Sequence, residues 1–238
     1  MSDRDDKLPS EASSRTEVDR FLDKVAAMPL DAAPGGRGRL LFALDATASR
    51  QPAWDRAAKI QGEMFAATAA LGGLEVQLAF YRGFGEFKVS PWTADAGSLL
   101  RLMTSVFCLA GETQIRKVLV HAANETKKRK VNALVFVGDC VEEDVDRLGA
   151  LAGELGLLGV PAFMFHEGQD PVAAFAFQQV ARLTRGAYCR FDADAADALR
   201  RLLSAVAVYA AGGRRALEDM ARKQGGEVLR IAHQMKGS

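Results

Sequence analysis

Little in this sequence points to a disulfide scaffold, a membrane span or a nucleic-acid binder. Cys108, Cys140 and Cys189 are the only cysteines in 238 residues, widely spaced and without a C-x-x-C pair. That pattern excludes a disulfide framework and argues against a thiolate zinc site, so all three are expected to be reduced packing residues. No apolar stretch approaches the roughly 20 residues of a membrane-spanning helix. The opening MSDRDDKLPSEASSRTEVDR is charged and lacks the apolar segment of a secretory signal, which gives a cytoplasmic protein as the expectation. Lys and Arg total 31 against 30 Asp and Glu, for a formal charge of +1. Without a basic excess, neither a nucleic-acid partner nor a membrane surface is expected. There is also no G-x-x-x-x-G-K-[ST] phosphate loop and no G-x-G-x-x-G after the first apolar strand.

What the chain does have is alternation. Hydrophobic residues make up 49%, enough for one sizeable core. Residues 1 to about 15 are polar, a pattern that predicts disorder. Helical spacing predicts a helix over 16–28, and Pro and Gly in DAAPGGRGR predict a linker. From residue 39 the pattern switches between strands and amphipathic helices. Strands are predicted over 39–44, 74–82, 85–90, 131–138, 159–167 and 186–191. Helices are predicted over about 53–71, then 95–106, 111–128, 142–156, 171–184 and 192–212. Several strands are nearly continuous apolar runs, as strands covered on both faces should be. The implied fold class is α/β: a doubly wound, mostly parallel sheet flanked by helices on both faces, with one antiparallel edge strand. The expected division is 1–37 as start, short helix and linker, 38–210 as the domain, and 211–238 as a helical extension broken at Gly225 and Gly226.

In such sheets ligands sit beyond the carboxyl ends of the strands, where strand order reverses. The residues just after each strand therefore carry the chemistry. LLFAL (40–44) ends in Asp45, with Thr47 and Ser49 at alternate positions. LVFVG (134–138) ends in Asp139. GETQI (111–115) places Thr113 near a helix start. Two carboxylates and three hydroxyls are hard oxygen donors, suited to magnesium or manganese with a position left for water or ligand. Each residue alone could equally be a helix cap.

D-x-T-x-S after the first buried strand, a Thr after Gly–Glu, and an Asp directly after a later strand resemble the metal-ion-dependent adhesion site (MIDAS) of von Willebrand factor A (VWA) domains. The resemblance covers about residues 38–208 and is to the bacterial intracellular type. It implies a metal site of Asp45, Thr47, Ser49, Thr113 and Asp139 holding Mg²⁺ or Mn²⁺. It also implies a non-enzymatic adaptor or assembly factor, whose protein partner supplies an acidic side chain to the metal. The sequence departs from the commoner motif at Thr47, usually Ser, and at Glu112, where many members carry Gly.

Two other readings start from the same residues. Asp45 with GDCVEED (138–144) also resembles haloacid-dehalogenase-like phosphatases. There Asp45 would be the nucleophile, Asp139 and Asp144 would hold magnesium, and a lysine would come from Lys127, Lys128 or Lys130. The third reading is a structural domain whose metal site is inactive. His121, His166 and His233 have no partners at metal spacing and are expected at the surface or in packing, with His166 at the rim. Trp54 is expected in the core and Trp92 exposed.

Overall fold

The computed structural model describes residues 20–21, 24, 37–68, 73–191 and 196–223. The polar start, most of the helix predicted over 16–28, the linker up to residue 36, and everything after 223, including His233, lie outside the described residues.

Six strands form one sheet: β1 (Gly38–Asp45), β2 (Leu74–Arg82), β3 (Glu86–Val89), β4 (Ala133–Gly138), β5 (Ala162–Glu167) and β6 (Ala187–Phe191). Their order is β3-β2-β1-β4-β5-β6. All neighbours run parallel except β3, which pairs antiparallel with β2 through the Gly83–Gly85 turn. Both turn glycines have positive φ, the conformation a tight hairpin needs and a side chain resists. Among the described residues, six α-helices alternate with or follow the strands: α1 (Gln51–Thr68), α2 (Ala96–Thr104), α3 (Ile115–Lys128), α4 (Val145–Leu157), α5 (Pro171–Leu183) and α6 (Ala196–Lys223).

Every residue of β1 is buried, which is why its sequence reads as a continuous apolar run rather than an alternation. The alternation is still present, but between two cores. Leu40, Phe42 and Leu44 join α1, α2 and α6 on one face. Leu41 and Ala43 join α3, α4 and α5 on the other. Phe21, from the described part of the chain start, seats in the first core and meets Phe163 and Phe165 edge-on. Trp54 is buried as expected, and its Nε1 donates to the Met103 carbonyl. Trp92 departs from expectation. It is half-buried, donates Nε1 to Glu125 and stacks under the Arg39 guanidinium at 3.7 Å. The proline before it suggested a solvated turn, but a buried arginine needed a flat polarisable surface.

The C-terminal helix passes over the start of β1. A Cβ on Gly38 would lie 2.2 Å from the Ala210 carbonyl oxygen, so only glycine allows this approach. The helix turns sharply at Gly213, whose φ is 66°, and Ala216 and Met220 still pack on the first core beyond the kink.

The order β2-β1-β4 fixes where a ligand belongs. The chain goes out from β1 to β2 and β3 on one side, then returns to β4, β5 and β6 on the other. The switch point lies between β1 and β4, at their carboxyl ends. Leu44 pairs with Val137, so Asp45 and Asp139 leave the sheet side by side.

Candidate metal centre

Asp45 ends β1 and is almost fully buried. Its Oδ1 accepts from the Thr47 backbone N–H at 2.7 Å, closing a turn that fixes the carboxylate. Its Oδ2 is buried with no hydrogen-bond partner, and so is Oδ1 of Asp139. Buried polar atoms are normally satisfied, and a carboxylate oxygen is an expensive one to leave bare. Each of the two aspartates therefore carries one such oxygen. One donor atom each from Asp45, Asp139 and Cys140 lies within 4.8 Å of the others.

The electrostatics follow from this crowding. Burial, and then the charge of Asp139, push the Asp45 carboxyl above its ordinary pKa, against the turn N–H that favours its charged form. Burial, with the Asp139 and Asp45 carboxylates beside it, drives the Cys140 thiol up to about 12. Cys108 is raised to about 11 by burial and by Asp45. The fully buried Tyr81 phenol is raised well above its ordinary value by burial and by the Asp45 carboxylate beside it. A cation beside Asp45 would favour its charged form.

Of the other expected ligands, Thr47 and Ser49 bond to the pair, and Thr113 lies on a loop tied to the one that carries Asp139. Thr47 is buried in the turn after Asp45. Ser49 is exposed, and its Oγ donates to Asp139 Oδ2 at 3.0 Å. Thr113 is buried on the loop before α3. Its N–H donates to Glu142, and its Oγ1 accepts from the Glu142 N–H at 3.0 Å. This reciprocal pair ties the Thr113 loop to the loop that carries Asp139. A second tie holds it to the hairpin: a Cβ on Gly111 would lie 2.1 Å from the Gly83 oxygen.

Capping does not explain these residues. Helix α3 begins at Ile115, later than the helix expected from 111, because Glu143 reaches across to accept from the Ile115 and Arg116 N–H groups. Helix α4 begins at Val145 and is capped by Asp144, not Asp139. That use of Asp144 also counts against the phosphatase reading. Its lysine is misplaced too. Lys130 binds the carbonyls of Leu158 and Gly159, ahead of β5, and Lys128 pairs with Glu125. These lysines sit at the amino edge of the sheet, a strand length of roughly 20 Å from Asp45.

Four further residues form a polar network beside the pair. Arg50, 4% exposed, holds Glu167 at 2.6 Å and lies 4.0 Å from Asp139. Arg56 pairs with the other Glu167 oxygen at 2.9 Å. His166, expected at the rim, is instead fully buried. Its Nε2 meets the Asp139 carbonyl oxygen at 3.2 Å, and its Nδ1 meets the Tyr188 hydroxyl at 3.0 Å. A carbonyl can only accept, so Nε2 carries the proton and Nδ1 accepts from Tyr188. The only hint in the sequence was position: Arg50 follows the motif directly, and Glu167 and His166 end a strand.

No family model matches the sequence, and no curated protein matches it. Solved structures do. The VWA domain of SpRpn10 superposes with a TM-score of 0.54 at 15% identity, over 71% of this chain and 92% of that one. The vWF domain of the type V pili tip protein Mfa5 from Porphyromonas gingivalis gives 0.57 at 10% identity, over 73% and 96%. The fold is that of a VWA domain. A third VWA-like structure, proximal thread matrix protein 1 of the mussel byssus, gives 0.58 at 12% identity. Its MIDAS motif is occupied by zinc, and the match covers 72% of this chain and 46% of that one. The parallel pairing of β1 with β4 at the switch point is what places Asp45 beside Asp139 here. Among the described residues no helix is long and apolar enough to cross a membrane.

His121, on the far side of this VWA fold, supplies a pH test. Burial lowers its pKa, overriding Glu125, and its Nε2 meets Gln77 at 2.8 Å while its ring packs on Phe87. The folded state prefers the neutral ring, whereas the unfolded chain takes a proton near pH 6.5. This contribution to stability is therefore present above pH 6.5 and is lost as pH falls toward the depressed folded value. Urea midpoints of the wild type are expected to drop between pH 7.5 and 5.5, and His121→Gln is expected to flatten that slope.

Proposed function

We propose that this protein binds a divalent cation through Asp45 and Asp139, with Thr47, Ser49 and Thr113 completing the shell, and uses it to hold another protein. The observation that carries the reading is the pair of buried, unpartnered carboxylate oxygens at the switch point. The mostly oxygen donor set suits magnesium or manganese. When bound, the cation supplies positive charge and an open coordination position for a partner's acidic side chain. Arg50 and Glu167 brace Asp139, and the Thr47 N–H orients Asp45.

Apolar groups beside the site fit a protein partner rather than a small substrate. Phe84 at the hairpin tip and Phe107 are 83% and 70% exposed. Leu109, also exposed, donates its N–H to the Ala46 carbonyl, next to Asp45. A cavity of about 530 Å³ lies between Phe84, Thr113, Glu143 and Leu148. No nucleophile with an adjacent base is present in this cluster, which favours an adaptor or assembly factor over an enzyme. A cytoplasmic setting agrees with the three widely spaced cysteines, and the bacterial type is what the family resemblance implies.

The test is thermal unfolding with and without Mg²⁺ or Mn²⁺. A cation that binds only the folded state raises stability by about 2.7 kcal/mol at a hundred times its Kd. The shift is expected in the wild type and absent in Asp139→Ala. Partner capture from lysate should then require the cation and weaken in Phe107→Ser. No shift at millimolar cation in the wild type would refute the reading and leave a structural domain.

A further inference from the structure

We propose that Cys140 is a third protein ligand in this centre, and that it makes the site one for a thiophilic divalent cation of the zinc class as well as for magnesium. The inference rests on the cation site proposed above and adds to it a ligand and a selectivity.

The geometry comes first. Zinc bonds of about 2.0–2.2 Å to oxygen and about 2.3 Å to sulfur put neighbouring donors of a tetrahedral site about 3.5 Å apart. The donor atoms of Asp45, Asp139 and Cys140 already lie within 4.8 Å of one another. Each pair needs to close by about 1.3 Å at most, within reach of side-chain rotation on the Asp139–Cys140 loop. The cysteine is not the only evidence. Asp45 is 2% exposed, contributes one carboxylate oxygen to this group, and keeps its Oδ2 buried without a partner.

Coordination number argues the same way. Magnesium asks for about six oxygens in near-octahedral array. The hydroxyls that would serve it keep lone pairs free, since Ser49 only donates to Asp139 and Thr113 accepts a single bond from the Glu142 N–H, but these two and Thr47 with two carboxylates still leave water to complete six. A zinc-class cation is satisfied by three protein donors and one open position. Two carboxylates and a sulfur supply those three and leave the fourth for a partner's side chain. Cys140, which the sequence offered only as a packing residue, is half-buried and belongs to this donor group. Cys108 is also half-buried, but its sulfur is not in the donor group.

Cobalt(II) is the probe, because thiolate ligation gives a sulfur-to-cobalt charge-transfer absorption that oxygen ligation does not. The band is expected in the wild type and in Cys108→Ser, and absent in Cys140→Ser and Asp45→Asn, with circular dichroism confirming that each variant is folded. By calorimetry, zinc affinity is expected to fall roughly tenfold or more in Cys140→Ser, while magnesium affinity changes less than about twofold. Cys140→Ala should repeat the loss, which separates ligation from any local effect of serine. Cobalt bound without the band, or zinc affinity unchanged in both Cys140 variants, would overturn the ligand role while leaving the oxygen site standing. A band that survives Asp45→Asn would place the cation elsewhere and overturn the inference. No binding of cobalt, zinc or magnesium to the wild type would overturn the centre itself.

Discussion

Asp45→Asn is expected to stabilise the cation-free protein and, in the same step, to abolish its stabilisation by cations. Asn keeps the Oδ1 that accepts from the Thr47 N–H, so the turn after β1 is preserved. What it removes is a buried negative charge with one bare oxygen, facing the Asp139 carboxylate. The sign follows from the pKa. The Asp45 carboxyl is raised in the folded state, so its favourable contribution is present only below the ordinary carboxylate range and is lost as pH rises through the folded value. At neutral pH the charge is a liability, and removing it should add about 1–3 kcal/mol in a chelator. With Mg²⁺ or Mn²⁺ in excess the wild type gains and the variant does not, so the order of stability inverts. Urea unfolding of both proteins, with chelator and with cation, reads this directly. A variant that is less stable in chelator would mean that Asp45 is held by structure alone. The stability that this site gives up without its cation is the expected mark of a functional residue.

Arg50→Met is the second large effect, and it goes the other way. The guanidinium is buried between Glu167 at 2.6 Å and Asp139 at 4.0 Å. The Glu167 oxygen it approaches lies outside hydrogen-bond geometry, so the contact is an ion pair rather than a directed bond. Removing Arg50 leaves Glu167, itself buried, with Arg56 only. Breaking a buried pair from one side costs about 3–5 kcal/mol, because the remaining charge stays desolvated. Adding Glu167→Gln to Arg50→Met should restore much of that loss, since Arg56 is partly exposed and can turn to water. A double-mutant cycle on urea midpoints measures the coupling. A single-variant loss below about 1 kcal/mol would mean that Arg56 alone neutralises Glu167. Cation affinity should rise in Arg50→Met, because the guanidinium competes for the Asp139 carboxylate.

The two sets of charges have different logic. Arg39, at the amino edge of the sheet, is also buried, but it is surrounded by partners: Glu75, Glu125, the Arg129 carbonyl and the Trp92 face. That network is nearly closed and reads as structural. At the carboxyl edge, Asp45 and Asp139 each keep an open oxygen. Ligand chemistry belongs at the edge where the polar groups are left unsatisfied.

The sequence by itself determined the architecture. A continuous apolar β1, the glycine turn before β3 and strands alternating with amphipathic helices left little choice but a doubly wound sheet with an antiparallel edge, because each pattern names the faces that must be covered. The same reading pointed to Asp45 and Asp139, since residues after parallel strands share one edge. Local rules went astray where a distant side chain intervened. Helix α3 starts at Ile115 rather than near Gly111 because Glu143, from another loop, closes its N-terminus. Trp92 is covered because Arg39 lies against it. Only the tertiary structure decided that Cys140 faces the two aspartates, that Arg50 braces Asp139, and that His166 is buried beneath its carbonyl. These are contacts between residues 27 to 95 positions apart or between neighbours on one loop, and no spacing rule encodes which way such side chains turn. The physical reason is packing: the pattern of apolar residues fixes where each backbone goes, while the orientation of a polar side chain at a sheet edge depends on every element that meets there.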